Sequence, residues 1–413
     1  MIRFACLASF IAFMLSGALA AEPPIARFEM QEVARDLTIG YAVAVADING
    51  DGKPDIVVVD KHRVVWYENP TWKMRTILQG KTKADNVCLA VLDIDGDGKL
   101  DIVLGAGWAP SDTKNPGTLQ WLKRGKSLDD EWTLYPIPCD EPTVHRIRIA
   151  DLDGSGKSQI VVAPLQGRES SAAGNWFNGR PVRILAYQAP KNPTDPKAWK
   201  AEVVNESLHV VHNIWPTPDP GGRGMNLLAA SYEGVTWITR DNMFRWGARR
   251  IGEGNQSKPN GSRGSSEIKH GHLAAGGQYI ATIEPWHGNQ VVVYTSPGPE
   301  QKLWQRHVLD EELRWGHAVW CADLDGDGVD ELIIGVRDDP NPKAGDKFRL
   351  RRGVRVYKCI DDKGEKWRRQ IVDNGGVAVE DLVAADLNGD GKIDIIAVGR
   401  QTGNLRVYWN KGK

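Results

Sequence analysis

Two kinds of side chain in this 413-residue sequence are spaced for chemistry: nine histidines and a recurring acidic phrase. The phrase reads DINGDGKPDIVVVD from residue 47 and returns as DIDGDGKLDIVLG at 93, DLDGSGKSQIVVA at 151, DLDGDGVDELIIG at 323 and DLNGDGKIDIIAV at 386. In the first copy Asp47, Asn49, Asp51 and Asp55 fall at positions one, three, five and nine, with the Lys53 carbonyl at seven. Alternating oxygens on a glycine-turned loop suit calcium, which takes about six to eight hard oxygen ligands. Asp93, Asp95, Asp97 and Asp101 repeat this set, as do Asp386, Asn388, Asp390 and Asp394, and a fourth set is Asp323, Asp325, Asp327 and Glu331. The copy at 151 offers Ser155 and Gln159 and is expected to bind weakly or not at all. Position twelve is Val58, in a strand-like run, where an EF hand needs Glu and flanking helices, so an EF hand is excluded. The expected role of calcium here is structural, as a staple on a turn between two strands.

The histidines follow the same register. His145 lies six residues before Asp151, His317 six before Asp323 and His272 six before Gln278, while His212 lies seven before Asp219. Tyr41 and Glu380 hold that place in the first and last copies. Convergent neutral imidazoles with an open position are what zinc or a similar divalent ion requires. His212, His272 and His317 are therefore the predicted ligands of a divalent metal. Tyr41, His145, Arg146, Glu284 and His287 are the predicted catalytic groups, and His209 and His270 supporting ones. The spacing is unlike HExxH.

These groups can meet only if the repeats close into a ring. After each acidic phrase or its eroded equivalent comes a short strand with an aromatic end (VVWY, LQWL, RILAY, VTWI, VVVY, VRVY, LRVYW), then an outer strand opened by Trp72, Trp132, Trp199, Trp246, Trp304 or Trp367. The seventh outer strand is missing at the C-terminal end, but RFEMQEV supplies one near the N-terminus, with Phe28 in the Trp place. Residues 21–413 are thus predicted to be one all-β, seven-bladed β-propeller closed by the N-terminal strand, an architecture that leaves few exposed edges. The acidic loops then share one face. The histidine register falls on the other, which also receives the insertions carrying Trp108, Trp176 and Trp286, rings able to stack on sugars. A concave mouth with converging polar groups is the default site of such a fold.

Residues 1–20, with Arg3, an apolar run and SGALAA, read as a secretory signal peptide, so a secreted or periplasmic protein is expected. No later run is long enough for a membrane span. A net charge of −1 gives no reason to expect a nucleic-acid partner. Cys88, Cys139, Cys321 and Cys359 remain after the signal; three pairings are open to them, and buried free thiols are the favoured alternative.

The acidic phrases resemble the FG-GAP/VCBS repeats of integrin-type propellers over essentially the whole mature chain. The pattern LHVVHN…AASYEG, followed by KHGH and WGHAVW, looks like the propeller domain of the aldos-2-ulose dehydratases, and more distantly like oligogalacturonate-lyase propellers. That resemblance implies a carbon–oxygen lyase removing water by β-elimination from a keto-sugar such as 1,5-anhydrofructose or glucosone. The family adds cupin domains that this sequence does not carry. The competing expectation is a non-catalytic propeller that binds a glycan or protein.

Overall fold

The structure, a computed structural model, describes residues 22–298, 302–337 and 352–413. The expected signal peptide and most of the insertion after Arg337 lie outside them. The described residues form seven four-stranded antiparallel sheets. The first strands, numbered by blade in chain order, are Gly40–Ala46, Cys88–Leu92, Val144–Ala150, Asn213–Pro218, Ile268–His272, Gly316–Ala322 and Val379–Ala385. Each first strand contacts those of the two neighbouring blades, so together they ring a central channel. Blade seven has the order Val379–Ala385, Asp394–Gly399, Leu405–Asn410, Phe28–Ala34, its outer strand coming from the start of the chain.

The second strands show why sequence and fold agree. Runs such as DIVVVD at 55–60, ELIIGV at 331–336 and DIIAVG at 394–399 are buried along their whole length. Each is covered on both faces by neighbouring blades, so its apolar residues do not alternate with polar ones.

The acidic loops join first to second strands and wedge the blades apart. Their second residues, Ile48, Ile94, Leu152, Leu324 and Leu387, are at most 5% exposed and pack into clusters shared with the following blade. Each such plug is worth about 1.5–3 kcal/mol of burial. In blade five Leu273 does the same toward blade six, but in blade four the position is Pro220, which is exposed. The four described cysteines are free thiols. Among the described residues no helix is long and apolar enough to cross a membrane.

Candidate functional site

Near the start of four of the seven first strands the pairing skips one residue. The register shifts between Gly40 and Ala42, Val144 and Arg146, Gly316 and Ala318, and Val379 and Asp381, placing Tyr41, His145, His317 and Glu380 on bulges. A bulge re-aims a side chain, and these four line the channel mouth. In blade four His212 holds the equivalent position, its N–H donating to the Ala230 carbonyl. In blade five that position is Ser266, whose N–H donates to Ile283.

His287, from the turn between the second and third strands of blade five, enters the mouth beside that gap. It has φ of +49°, uncommon for a non-glycine residue, and its ring stacks on Trp286 with centroids 4.0 Å apart. Ligand atoms of His212, His287 and His317 all lie within 4.8 Å of one another. The closest pair, His212 Nε2 and His287 Nε2, is 2.8 Å apart. Three tetrahedral zinc ligands would stand about 3.3 Å apart by the usual Zn–N length, so the set needs little movement to hold an ion.

The tautomers support this in part. His317 Nδ1 donates to the Glu380 carbonyl, which leaves Nε2 with its lone pair. His145 Nδ1 donates to the His212 carbonyl over 2.9 Å, and its Nε2 accepts from Arg146 at 3.1 Å. His287 Nδ1 instead accepts from Arg337 at 3.1 Å, so its proton sits on Nε2 and points at His212. A cation held there by His212, His287 and His317 would take the place of that proton. Glu267 Oε1 comes within 2.9 Å of His212 Nδ1, though poorly aligned for a hydrogen bond.

Burial keeps the imidazoles neutral. It holds His317 down to about 3 and His212 below its ordinary value; burial and then Arg146 hold His145 well down, and burial and then Arg337 do the same to His287. Burial pushes Glu380 up, but Arg337, His317 and Arg400 outweigh it and bring the carboxyl to about 2. Glu380 accordingly grips Arg337 and Arg400, each at 2.8 Å. The mouth encloses about 320 Å³, at the lower end of ordinary ligand sites. Gln166 Oε1, Trp286 Nε1 and Arg337 Nε line it, buried and without partners among the described residues. Polar atoms so placed are available to hydrogen-bond a ligand or water.

Two predicted site residues are elsewhere. His272 is not at the mouth: it ends the first strand of blade five on the acidic-loop face, its Nδ1 2.8 Å from Asp330, with His270 beside it. The register fails because blade five has a short turn, so counting back from Gln278 reaches the wrong end of the strand. Glu284 is wholly buried and absent from the mouth; its carboxylate accepts from Ser265, Thr282, Tyr294 and Arg306 within the blade. His209 pairs with Glu233 at 2.9 Å and packs on Phe177. Arg337 and Glu267 were missed: Arg337 stands six residues after Glu331, as Lys61 does after Asp55 and Arg400 after Asp394, and Glu267 follows Ser266 in blade five, where the short turn hides the register.

In the acidic loops the first residue accepts backbone N–H groups, as Asp47 does from Gly50 and Gly52 and Asp386 from Gly389 and Gly391. The ninth residue ties the plug, as Asp55 does Ile48 and Asp394 does Leu387. Asp93, Asp95 and Asp101 converge within 4.8 Å, as do Asp323, Asp325 and Glu331. Asp95 Oδ1 and Asp325 Oδ1 are buried without partners among the described residues, which fits a cation. A lysine also reaches each trio: Lys123 meets Asp95 and Asp97, and Lys358 meets Asp325, Asp327 and Glu331. In blade three the Gln159 amide donates to the Lys157 carbonyl at 3.0 Å, an internal substitute for the ion.

Comparison with known proteins bears on the fold and its repeats. A family model for the aldos-2-ulose dehydratase β-propeller domain matches residues 116–297, an FG-GAP-like repeat model matches 41–104, and an EF-hand model matches 379–395. The last covers one acidic loop, which strands rather than helices flank. An aldos-2-ulose dehydratase from Phanerodontia chrysosporium is 28% identical over 303 residues, 68% of this chain and 32% of that protein. The chain thus spans about a third of the length of this relative. Among solved structures, an Agrocybe aegerita lectin that recognises non-reducing terminal N-acetylglucosamine is similar with TM-score 0.51 and 15% identity, covering 82% of this chain and 81% of that one. BBS1N in complex with ARL6DN is similar with TM-score 0.51 and 13% identity, covering 93% and 97%. At such identities these two speak only for the fold. The chain is an all-β seven-bladed propeller with an FG-GAP-like repeat, and it resembles the propeller domain of aldos-2-ulose dehydratase.

Proposed function

We propose that the mouth is the active site of a metal-dependent dehydratase acting on a keto-sugar of the 1,5-anhydrofructose or glucosone type. The observation that carries this reading is the convergence of three neutral imidazoles, His212 and His317 buried and His287 half-buried, in a cavity ringed by guanidinium groups. When bound, a divalent ion, zinc by the character of this donor set, supplies a Lewis acid for a ketone oxygen. His145 acts as the base. Its Nδ1–H is committed to the His212 carbonyl, and its Nε2 lone pair, which Arg146 engages at 3.1 Å, is freed for the substrate when that guanidinium shifts to a sugar oxygen. Nε2 takes the proton from the carbon next to the ketone, the C–H pair becomes the C=C bond, and the C–O bond at the β-carbon breaks. The departing hydroxide collects the proton from the His145 imidazolium, so one water leaves in all. Arg146 holds His145 in place, and Arg337 and Arg400, fixed by Glu380, bind sugar oxygens. Trp108 and Trp286 offer faces to the ring.

In this reading the protein is exported by residues 1–20, calcium staples the complete acidic loops, and Phe28–Ala34 closes the ring. The deciding experiment measures metal content and enone formation from 1,5-anhydrofructose in the purified protein and in His317→Ala. We expect about one zinc-class ion per native chain beyond calcium, and substoichiometric metal with lost elimination in the variant. Wild-type metal content in His317→Ala sinks the reading in favour of a binding propeller.

A further inference from the structure

A second cavity lies on the opposite face, between blades four and five, where Pro220 replaces the apolar plug of the complete loops. With that plug missing, the wedge stays open as a cleft of about 190 Å³. This is below the ~300 Å³ where drug-sized sites begin and leaves room for one ring. Its walls are Trp237 and Trp304, set edge to face with centroids 6.2 Å apart. Thr217 lines it at 5% exposure, and its Oγ1 has no partner among the described residues. Trp237 Nε1 is likewise buried and unpartnered among them. His270, His272 and Gln278 complete the polar side.

We propose that this cleft is a second saccharide site, one that takes a single neutral pyranose ring. No Asp, Glu, Lys or Arg lines it, which selects against ions. Arg249 lies 5.7 Å from the Trp237 ring without lining the cleft. Indole faces pack against the C–H face of a pyranose, and the Thr217 hydroxyl and the Trp237 N–H are a matched acceptor and donor for its hydroxyls. A purely apolar ring would leave both polar atoms buried and unpaired, which is costly. The site shares no residue with the mouth, so it holds a sugar away from the chemistry, as an anchoring subsite would.

The test is an NMR titration of the full chain, following the Trp237 indole N–H (assigned through Trp237→Phe), with methyl β-glucopyranoside, methyl β-galactopyranoside and methyl α-mannopyranoside, and with cyclohexanol as an apolar control. We expect a saturable shift with at least one pyranoside, weakened tenfold or more in Pro220→Leu, which restores the plug, and unchanged in His317→Ala. Should Pro220→Leu fail to fold, Thr217→Val is expected to weaken binding severalfold. The proposal is overturned if no pyranoside saturates, if cyclohexanol binds as well as the sugars, or if Pro220→Leu (or Thr217→Val in its place) binds like the native chain. Because the mouth is untouched by these variants, failure here leaves the dehydratase reading standing, and the reverse holds too.

Discussion

At the scale of residues, His287 and His272 separate what register can and cannot reveal. We expect His287→Ala to lose its divalent metal, with affinity down by more than the roughly 10- to 100-fold typical of a group that merely supports a ligand, while the melting temperatures of the two metal-free proteins stay equal. His272→Ala should keep native metal content by elemental analysis, since it lies on the acidic-loop face beside Asp330 and His270. His145 and His317 were legible because loops of full length, the substituted one at 151 and the complete one at 323, fix the distance back to the bulge. His287 was legible only as a turn residue, and no repeat spacing marks it as a ligand. Glu284 misled because an acid near a histidine was read without the serine, threonine, tyrosine and arginine that fold back on it. A different residue sets a pH dependence. Lys269 is buried in the channel over Trp215, 3.9 Å away, with Trp320 nearby, and faces Arg148, Glu267, Asp381 and Cys321. Burial, then Arg148, lower its ammonium to about 7. The folded value is depressed, so the unfolded chain takes up this proton first as pH falls through about 10.4. Folding stability attributable to Lys269 therefore declines between pH 10.4 and 7, by up to about 1.4 kcal/mol per unit, and levels off below. Denaturant midpoints of the native chain and Lys269→Met, compared from pH 7 to 10, should differ most in favour of the variant at pH 7.

At the scale of elements, the acidic loop positions its plug, its turn and the strand that follows. The sequence pattern located all five phrases, but not the partners that stand in for a cation, because Lys123, Lys358 and the Gln159 amide come from outside the oxygen pattern or replace a member of it. In Lys358→Met the carboxylates of Asp325, Asp327 and Glu331 lose their internal counter-charge. We expect a lower melting temperature without calcium and a larger rise on adding it than the native chain shows. A bound ion at a hundredfold excess over its Kd adds about 2.7 kcal/mol. Equal calcium shifts in the two proteins would show that the lysine does not compete for the loop. The eroded loop of blade four was legible as eroded, but only packing shows that Pro220 leaves a space behind.

At the scale of the molecule, the repeat count and the displaced seventh outer strand were legible because each blade repeats one strand grammar. The ring order of the channel residues was legible only where that grammar is intact. We expect removal of residues 22–35 to abolish cooperative melting, measured by circular dichroism, although a short terminal segment is usually dispensable. The deletion takes away Phe28–Ala34, which pairs with Leu405–Asn410 along its length, and the Glu32 carboxylate that holds Arg406. That pairing has a bearing on time. Trp409 donates to Gln31, 378 positions away along the chain, so the oldest strand on the ribosome waits for the youngest before either has its partner. Contacts of such separation form slowly. Glu380, which orients two arginines and receives the His317 proton at its carbonyl, sits in that last-assembled sheet. The capacity to hold a metal at the mouth should therefore emerge late in refolding, lagging behind the burial of tryptophans in the earlier blades, and metal uptake becomes a stopwatch for the final step.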